Sequence, residues 1–181
     1  MTSPREAAAD GLTGRITEIV EAALHLLEAE GPAAVTMRRV AAELGIRGPS
    51  LYKHVTDKDV IIGLLQQHAM KEFGKAVAAA GPDPRAVAAA YRSWAINNPH
   101  LYELAARRPL KRDIIGGTEA FAGAPLAAAV GGNPDRMRAF LGLSHGLVDL
   151  ELNGHFGSEV DLEGAWHVAV DALARPKRRR P

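Results

Sequence analysis

The stretch TMRRVAAELGIRGPSLYKHVTDKDVI, residues 36–61, decides the fold that this sequence predicts. It begins as a good helix and then breaks at GIRGP, where two glycines and a proline fall within five residues. Thr36 is a natural N-cap, because its hydroxyl can accept from the free N–H groups of the first turn. Gly45 suits the left-handed position that ends a helix, and Pro49 suits the first position of the next. The pattern predicts two helices joined by a tight turn, a helix-turn-helix.

The second helix of this pair, about seven residues long, is too short to be stable alone. Val40 and Leu44 should face inward from the first helix, and Leu51 and Val55 from the second, with Ile46 turned inward between them. The outward face of the second helix then carries small or hydrogen-bonding residues, Gly48, Ser50, Tyr52, Lys53 and His54. Such a face fits the major groove of DNA, where donors and acceptors distinguish the bases.

Composition limits the classes of protein that remain. The 181 residues carry a net charge of +1, with 47% hydrophobic and 24% charged side chains, as in ordinary globular proteins. The absence of cysteine excludes disulfides, thiolate catalysis and cysteine-ligated zinc or iron–sulfur centres. Residues 36–58 hold five basic and two acidic residues, which favours DNA binding over a helical hairpin with a merely polar surface. Without a secretory signal or an apolar run of about 18 residues, we expect a cytoplasmic protein.

The rest of the chain has helical composition and no strand-like alternation. Glycine, proline and asparagine clusters separate predicted helices at 15–30, 57–79, 83–97, 99–107, 118–130, 134–156 and 161–174. We therefore predict an all-α fold in four parts. These are a disordered N-terminal arm (1–13), a three-helix helix-turn-helix DNA-binding domain (14–60), a helical effector-binding and dimerisation domain (61–174) and a basic disordered tail (175–181).

The opening stretch resembles the DNA-binding domain of the TetR/AcrR family of bacterial transcriptional regulators. The residues that carry the resemblance are Thr36, AAELGI (41–46), PSLYKHV (49–55) and Lys-Asp (58–59), within a match over about 14–65. The resemblance implies that base edges are read from the positions of Arg38, Arg47, Gly48, Ser50 and Lys53. It implies phosphate contacts from Thr36, Tyr52, His54 and Lys58. Glycine offers no side chain to the groove, so base readout would depend on the three cationic readers.

Two later stretches, YRSWAINNPHLYEL (91–104) and FLGLSHGLVDLELNG (140–154), resemble the ligand-sensing domain of a subgroup named for its Trp, His and Gly signature. The resemblance implies a homodimer formed by the last helices and an effector pocket among the central ones. The aromatic, mostly uncharged candidates for the pocket wall predict a small apolar effector: Phe73, Tyr91, Trp94, Tyr102, Phe121, Phe140 and His145. The predicted dimer interface comprises Met137, Leu141, Gly142, Val148, Leu152, Leu162, Trp166, Ala169 and Leu173.

Enzyme chemistry has little support in the sequence. His145 and Asp149, four residues apart on one helix, could be metal ligands with His155 and His167, but no H-E-x-x-H pattern accompanies them. We therefore predict no metal, no cofactor and no catalytic residue. The expected function is a transcriptional repressor that a small apolar effector releases from a palindromic operator. The alternatives are a helical small-molecule-binding protein or enzyme, and a DNA-binding protein without a ligand.

Overall fold

The computed structural model describes residues 4–157 and 159–174, with side chains from residue 14 to residue 173 apart from position 158. Over this part of the chain the secondary structure is entirely helical, which confirms the predicted all-α fold. The helices are α1 (Pro4–Glu30), α2 (Met37–Glu43), α3 (Gly48–Leu51), α4 (Lys58–Ala79), α5 (Pro84–Asn97), α6 (Pro99–Ala106), α7 (Arg112–Ile115), α8 (Thr118–Ala129), α9 (Pro134–Leu152) and α10 (Glu163–Ala174). None of these helices combines the length and the apolar character that crossing a bilayer requires.

The described residues form two compact units. The first is drawn from Met1–His68 and His100–Gly116, and the second from Ala69–Pro99 and Gly117–Pro181. The long helix α4 therefore contributes its N-terminal half to the first unit and its C-terminal half to the second. The first unit also takes in α6 and α7, which follow the helix-turn-helix by some forty residues of sequence.

The core of the first unit is built from the apolar stripes of its helices. The stripe of α1 buries Ile19, Ala23 and Leu27 at four-residue steps, as an amphipathic helix should. The remaining buried aliphatic side chains of this core include Val35, Val40, Leu51, Val55, Ile61, Leu65, Leu101 and Leu104. Burying such side chains stabilises each helix that carries them, and α3 in particular depends on it.

The second unit is a bundle in which α5, α8, α9 and α10 pack on one another. On α5, Val87, Tyr91 and Ala95 are buried four residues apart. An ion pair between Arg92 and Glu151 fastens α5 to α9, with Nη2 2.6 Å from Oε1. Gly74 lets α8 approach α4 closely, because a Cβ there would fall 2.6 Å from a ring carbon of Phe121.

Several helix boundaries differ from those predicted. Helix α1 begins at Pro4, where the sequence predicted a disordered arm up to residue 13, and the alanines that follow it are strong helix formers. Helix α9 ends at Leu152 and not at 156, because Gly154 adopts φ +68° and closes the helix with bonds back to its last turn. The short helix α7 was not predicted. The predicted tail, 175–181, lies outside the described residues.

Candidate nucleic-acid interface

The turn between α2 and α3 has the geometry that its glycine predicted. Gly45 adopts φ +65°, the left-handed conformation that other residues rarely adopt. Its N–H donates to the carbonyl of Ala42 at 3.0 Å, and the N–H of Ile46 donates to the carbonyl of Ala41 at 2.9 Å. This pair of bonds is a Schellman motif, which ends α2 and sets the direction in which the chain leaves it. The predicted role of Gly45 is confirmed.

The start of α2 is fixed by a cap and an ion pair. The hydroxyl of Thr36 accepts a hydrogen bond from the N–H of Arg39 at 3.3 Å, as an N-cap should. The guanidinium of Arg39 donates back to Glu30 at the end of α1, with Nη1 2.8 Å from Oε2, and this bond lowers the pKa of Glu30. The side chain of Arg39 is thus paired with α1, while the side chain of its neighbour Arg38 is exposed.

Helix α3 is shorter than predicted, four residues in place of about seven, and turns carry the chain on from Tyr52. Pro49 lies at its second position and not its first, where the missing N–H still costs no helical hydrogen bond. Leu51 and Val55 are completely buried, so the predicted anchoring of α3 to the core is confirmed. Arg47 precedes the helix and makes no side-chain capping bond, and its side chain is exposed.

The predicted DNA-contact residues are all at least partly accessible to solvent. Those most exposed are Arg38, Arg47, Ser50, Tyr52 and Lys53, and those partly exposed are Thr36, Gly48, His54 and Lys58. A groove of about 380 Å³ runs between α2 and α3 and is lined by Met37, Arg38, Ala41, Ala42, Ile46, Gly48 and Tyr52. The Nδ1 atom of His54 is buried and has no hydrogen-bond partner among the described residues. Arg38, Gly48 and Tyr52 of the predicted contact residues line this groove, and the role of the whole set in binding DNA stays a prediction.

The first turn of α4 carries the last of these residues in the sequence. Asp57 caps the helix by accepting from the N–H of Val60 at 3.1 Å, as predicted, and this backbone bond is the main reason that the pKa of Asp57 is lowered. Lys58 is the first residue of α4, where the free N–H groups and the positive end of the helix dipole favour an anion.

Four of the seven predicted pocket residues form a cluster in the second unit. The ring of Phe73 lies 5.1 Å from that of Tyr91 and 5.3 Å from that of Trp94, both edge-on. The hydroxyl of Tyr91 shares a hydrogen bond with Nδ1 of His145 at 2.8 Å. Burial lowers the pKa of His145, with Asp149 opposing the shift, so the imidazole is neutral at neutral pH.

The other three predicted pocket residues lie elsewhere. Phe121 is about half exposed against Gly74, Phe140 is buried between α9 and α10, and Tyr102 belongs to the first unit. The cleft around Phe140 and Trp166 has no space for a water molecule, yet Nε1 of Trp166 is buried without a hydrogen-bond partner among the described residues. An unpaired buried N–H costs free energy, so this indole holds an unsatisfied donor in a closely packed cleft.

The predicted dimer residues divide into three groups by exposure. Val148, Leu162 and Trp166 are buried inside the protomer, and Met137, Leu141, Ala169 and Leu173 are half-buried there. Gly142 and Leu152 are exposed. The most hydrophobic stripe of each helix packs largely within its own bundle, which is why choosing that stripe from the sequence selected seven buried or half-buried positions and two exposed ones.

An exposed face of small and apolar residues, which we call the small-residue face, lies opposite those core positions and includes one residue of the predicted interface, Gly142. On α9 it comprises Ala139, Gly142, Leu143, Gly146 and Leu150, and on α10 Gly164, Ala165, Val168 and Ala172. Its residues recur every three or four positions along each helix. This periodicity is present in the sequence, but it is less hydrophobic than that of the core stripe because most of the residues are small.

The histidines considered as metal ligands are not gathered into a site. Within the ranges that the structure describes, no group of three histidine or carboxylate side chains could hold a metal ion. His145 is instead hydrogen-bonded to Tyr91, and His167 lies 3.7 Å from Glu163 on its own helix.

A helix-turn-helix with an exposed cationic face, joined by a shared helix to a second helical unit, defines a DNA-binding regulator. Residues 19–63 match the family described as bacterial regulatory proteins of the tetR family, and residues 85–173 match the tetracyclin repressor-like C-terminal domain. The chain is 30% identical over 177 residues to the uncharacterized HTH-type transcriptional regulator Rv0681 of Mycobacterium tuberculosis, covering 90% of this chain and 81% of that one. The chain belongs to the TetR family and is a transcriptional regulator, not an enzyme.

Further similarities agree with that family. The HTH-type transcriptional repressor DrrR1 of Streptomyces coeruleorubidus is 44% identical over 50 residues, 28% of this chain and 18% of that one. The crystal structure of protein SCO4313 superimposes with a TM-score of 0.72 at 24% identity, over 96% of this chain and all of that one. At this identity the similarity supports the fold and not a function. The crystal structure of the multidrug binding protein EbrR complexed with imidazole superimposes with a TM-score of 0.69 at 25% identity, over 92% of this chain and 98% of that one.

Proposed function

We propose that the protein is a dimeric repressor that holds a palindromic operator through α2 and α3 and releases it when a small apolar molecule binds the second unit. The observation that carries the proposal is the cationic, hydrogen-bonding surface around α3, displayed on a helix whose opposite side is completely buried. The similarity over 50 residues to DrrR1, which is named a repressor, supports repression as the direction of control. Regulation of chromosomal DNA would take place in the cytoplasm.

The DNA contacts divide by chemistry. Arg38, Arg47 and Lys53 are exposed and long enough to reach base edges, where Arg and Lys pair best with guanine. Thr36, Tyr52, His54 and Lys58 border them and would hold phosphates, which position the protein without reading sequence. Gly48 and Ser50 would let the helix approach the groove closely.

The small-residue face is the proposed dimer interface, in place of the buried positions Val148, Leu162 and Trp166. A Cβ added at Gly142 or Gly146 would meet nothing within 4 Å, so packing inside the protomer does not require these glycines. Val168 is 74% exposed, and it counts toward an interface because other exposed small and apolar residues of this face accompany it on α10. Two such faces, related by a twofold axis, would form a four-helix interface and deliver two recognition helices to successive major grooves.

The proposed effector site is the cluster of Phe73, Tyr91, Trp94 and His145 with the neighbouring Trp166. Its rings are apolar and the imidazole is neutral, so the site favours an uncharged, largely apolar and planar molecule. The unpaired Nε1–H of Trp166 offers a donor to an acceptor on that molecule. The multidrug binding protein EbrR, bound to imidazole, is a structural neighbour whose ligand has this planar character. The stretches 91–104 and 140–154, which contain Trp94 and His145, also support membership of the Trp-His-Gly subgroup.

We propose that the release of operator DNA depends on α4. Because one continuous helix belongs to both units, a ligand that shifts its second-unit half also biases the unit that binds DNA. A ligand that prefers one conformation by about 1–3 kcal/mol would change operator affinity roughly 5–150-fold.

The effector proposal predicts that planar apolar compounds raise the melting temperature of the protein and weaken its binding to the operator. A thermal-shift screen of such compounds, followed by DNA-release assays, measures both effects. In the variants Trp94→Ala and His145→Ala, adding a compound should no longer raise the melting temperature above that of the same variant without the compound. Phe121→Ala removes an aromatic ring outside the cluster and should respond as the unaltered protein does. A screen in which no compound both stabilises the protein and releases DNA would favour a regulator without a ligand.

A further inference from the structure

Residues 107–112, RRPLKR, which we call the basic loop, run from the end of α6 to the first residue of α7 and belong to the same compact unit as the helix-turn-helix. Four of the six residues are cations. Arg107, Arg108 and Arg112 are exposed, and Lys111 is partly so. A run of cations on a loop often only keeps a surface solvated, so the position of this loop decides what it can do.

The backbone on both sides of the loop is held by one buried side chain. Gln66 on α4 is completely buried, and its amide nitrogen donates to the carbonyls of Leu104 at 2.9 Å and Pro109 at 3.1 Å. Its amide oxygen accepts from the N–H of Lys111 at 2.9 Å. A buried amide with these three bonds is costly to disturb, so the loop has a set position on α4.

That position is beside the first turn of α4. The ammonium group of Lys111 forms an ion pair with Asp59, which raises the pKa of Lys111. Asp59 directly follows Lys58, one of the proposed phosphate contacts. Gly63 allows α7 this close approach, because a Cβ there would fall 2.6 Å from Ile114. The loop therefore contacts α4 near its N-terminal end, which carries Lys58, a proposed contact to DNA.

Carboxylates lie among the cations of the loop. Arg108 bonds Glu103 at 2.9 Å, Lys111 pairs with Asp59, and Asp57 and Asp113 also raise the pKa of Lys111. The four cations of the loop together with Lys58 exceed these four carboxylates by one charge. Ion pairing at Asp59 also removes a negative charge from the neighbourhood of Lys58, where a phosphate would otherwise be repelled.

We propose that the basic loop is a second DNA-contacting element, which binds backbone phosphates beside the contact of Lys58, and that Gln66 is the positioning residue that holds it there. This inference rests on the proposed function. Each phosphate neutralised by the protein releases condensed counterions, so the loop should contribute to the salt dependence of binding and not to the choice of sequence.

The test compares two full-length variants with the same change in charge. Arg107→Gln/Arg108→Gln/Arg112→Gln alters the loop, and Lys71→Gln/Lys75→Gln/Arg138→Gln alters exposed cations of the second unit. Binding to the operator and to a random duplex is measured over a salt series. We expect the loop variant to flatten the plot of log affinity against log salt by about one unit for each phosphate that it no longer neutralises, with base preference unchanged. We expect the control variant to keep the slope of the unaltered protein.

Gln66→Met keeps all four charges and a similar volume but removes the three hydrogen bonds. It should also flatten the slope while helix content, measured by circular dichroism, stays unchanged. An unaltered slope in the loop variant, or an equal flattening in the control, would overturn the inference and leave the proposed function intact. Failure of the unaltered protein to bind DNA would overturn both.

Discussion

Val168→Glu is expected to convert the dimer to a monomer and to lower operator affinity by about 100-fold or more. In the isolated protomer the side chain at 168 is 74% exposed, so a glutamate there costs the fold little. In the proposed interface the same carboxylate would be desolvated and would face its twofold mate. Leaving a charge buried and unpaired costs on the order of 3–5 kcal/mol, roughly 100- to 5,000-fold in an equilibrium constant.

Val160→Glu is the matched control. Val160 is 51% exposed and precedes α10, so the same substitution places the same charge outside the small-residue face. Sedimentation equilibrium at micromolar concentration should show Val160→Glu as a dimer and Val168→Glu as a monomer, with thermal unfolding similar in both. A dimeric Val168→Glu variant with normal operator binding would place the interface elsewhere on the molecule.

Arg47→Ala is expected to relax base preference by about 1–3 kcal/mol at one position in each half-site, the range for a bidentate contact to a base. The side chain of Arg47 makes no capping bond to α3 and is exposed, so its removal should leave stability within about 0.5 kcal/mol of the unaltered protein. Affinities for a set of operators with single base changes measure the loss of discrimination.

Lys58→Ala provides the contrast, because it removes a cation from the first turn of α4 without touching a proposed base reader. It should weaken binding to all sequences similarly and flatten the salt slope by about one unit per half-site. If Lys58→Ala changed the preferred sequence while Arg47→Ala did not, the roles assigned to the two residues would be reversed.

The helix-turn-helix could be predicted because its signals are local. A left-handed glycine at 45, a hydroxyl cap at 36 and apolar anchors at 51 and 55 each act within one or two turns of chain. The same locality made Asp57 recognisable as the cap of α4. The resemblance to a known family then supplied the residue roles on a surface whose geometry was already defined.

The features that escaped prediction depend on contacts distant in sequence. Gln66 meets its partners 38 to 45 residues away, and nothing local in RRPLKR indicates that the loop packs on α4. Likewise, hydrophobicity alone could not show which stripe of α9 its own bundle would bury, so Val148 was assigned to the interface and Leu143 was not. Tyr102 was grouped with the aromatic cluster although it belongs to the other unit.

The measurement that tests the central claim most directly is selection of bound sequences from a random DNA pool by the full-length protein. The account predicts enrichment of an inverted repeat whose half-site centres lie about one helical turn apart, or slightly more, because a twofold dimer presents two copies of α3. Selection repeated with Arg47→Ala should lose information at one base position in each half-site. Enrichment of sites without dyad symmetry, or no enrichment at all, would contradict the account.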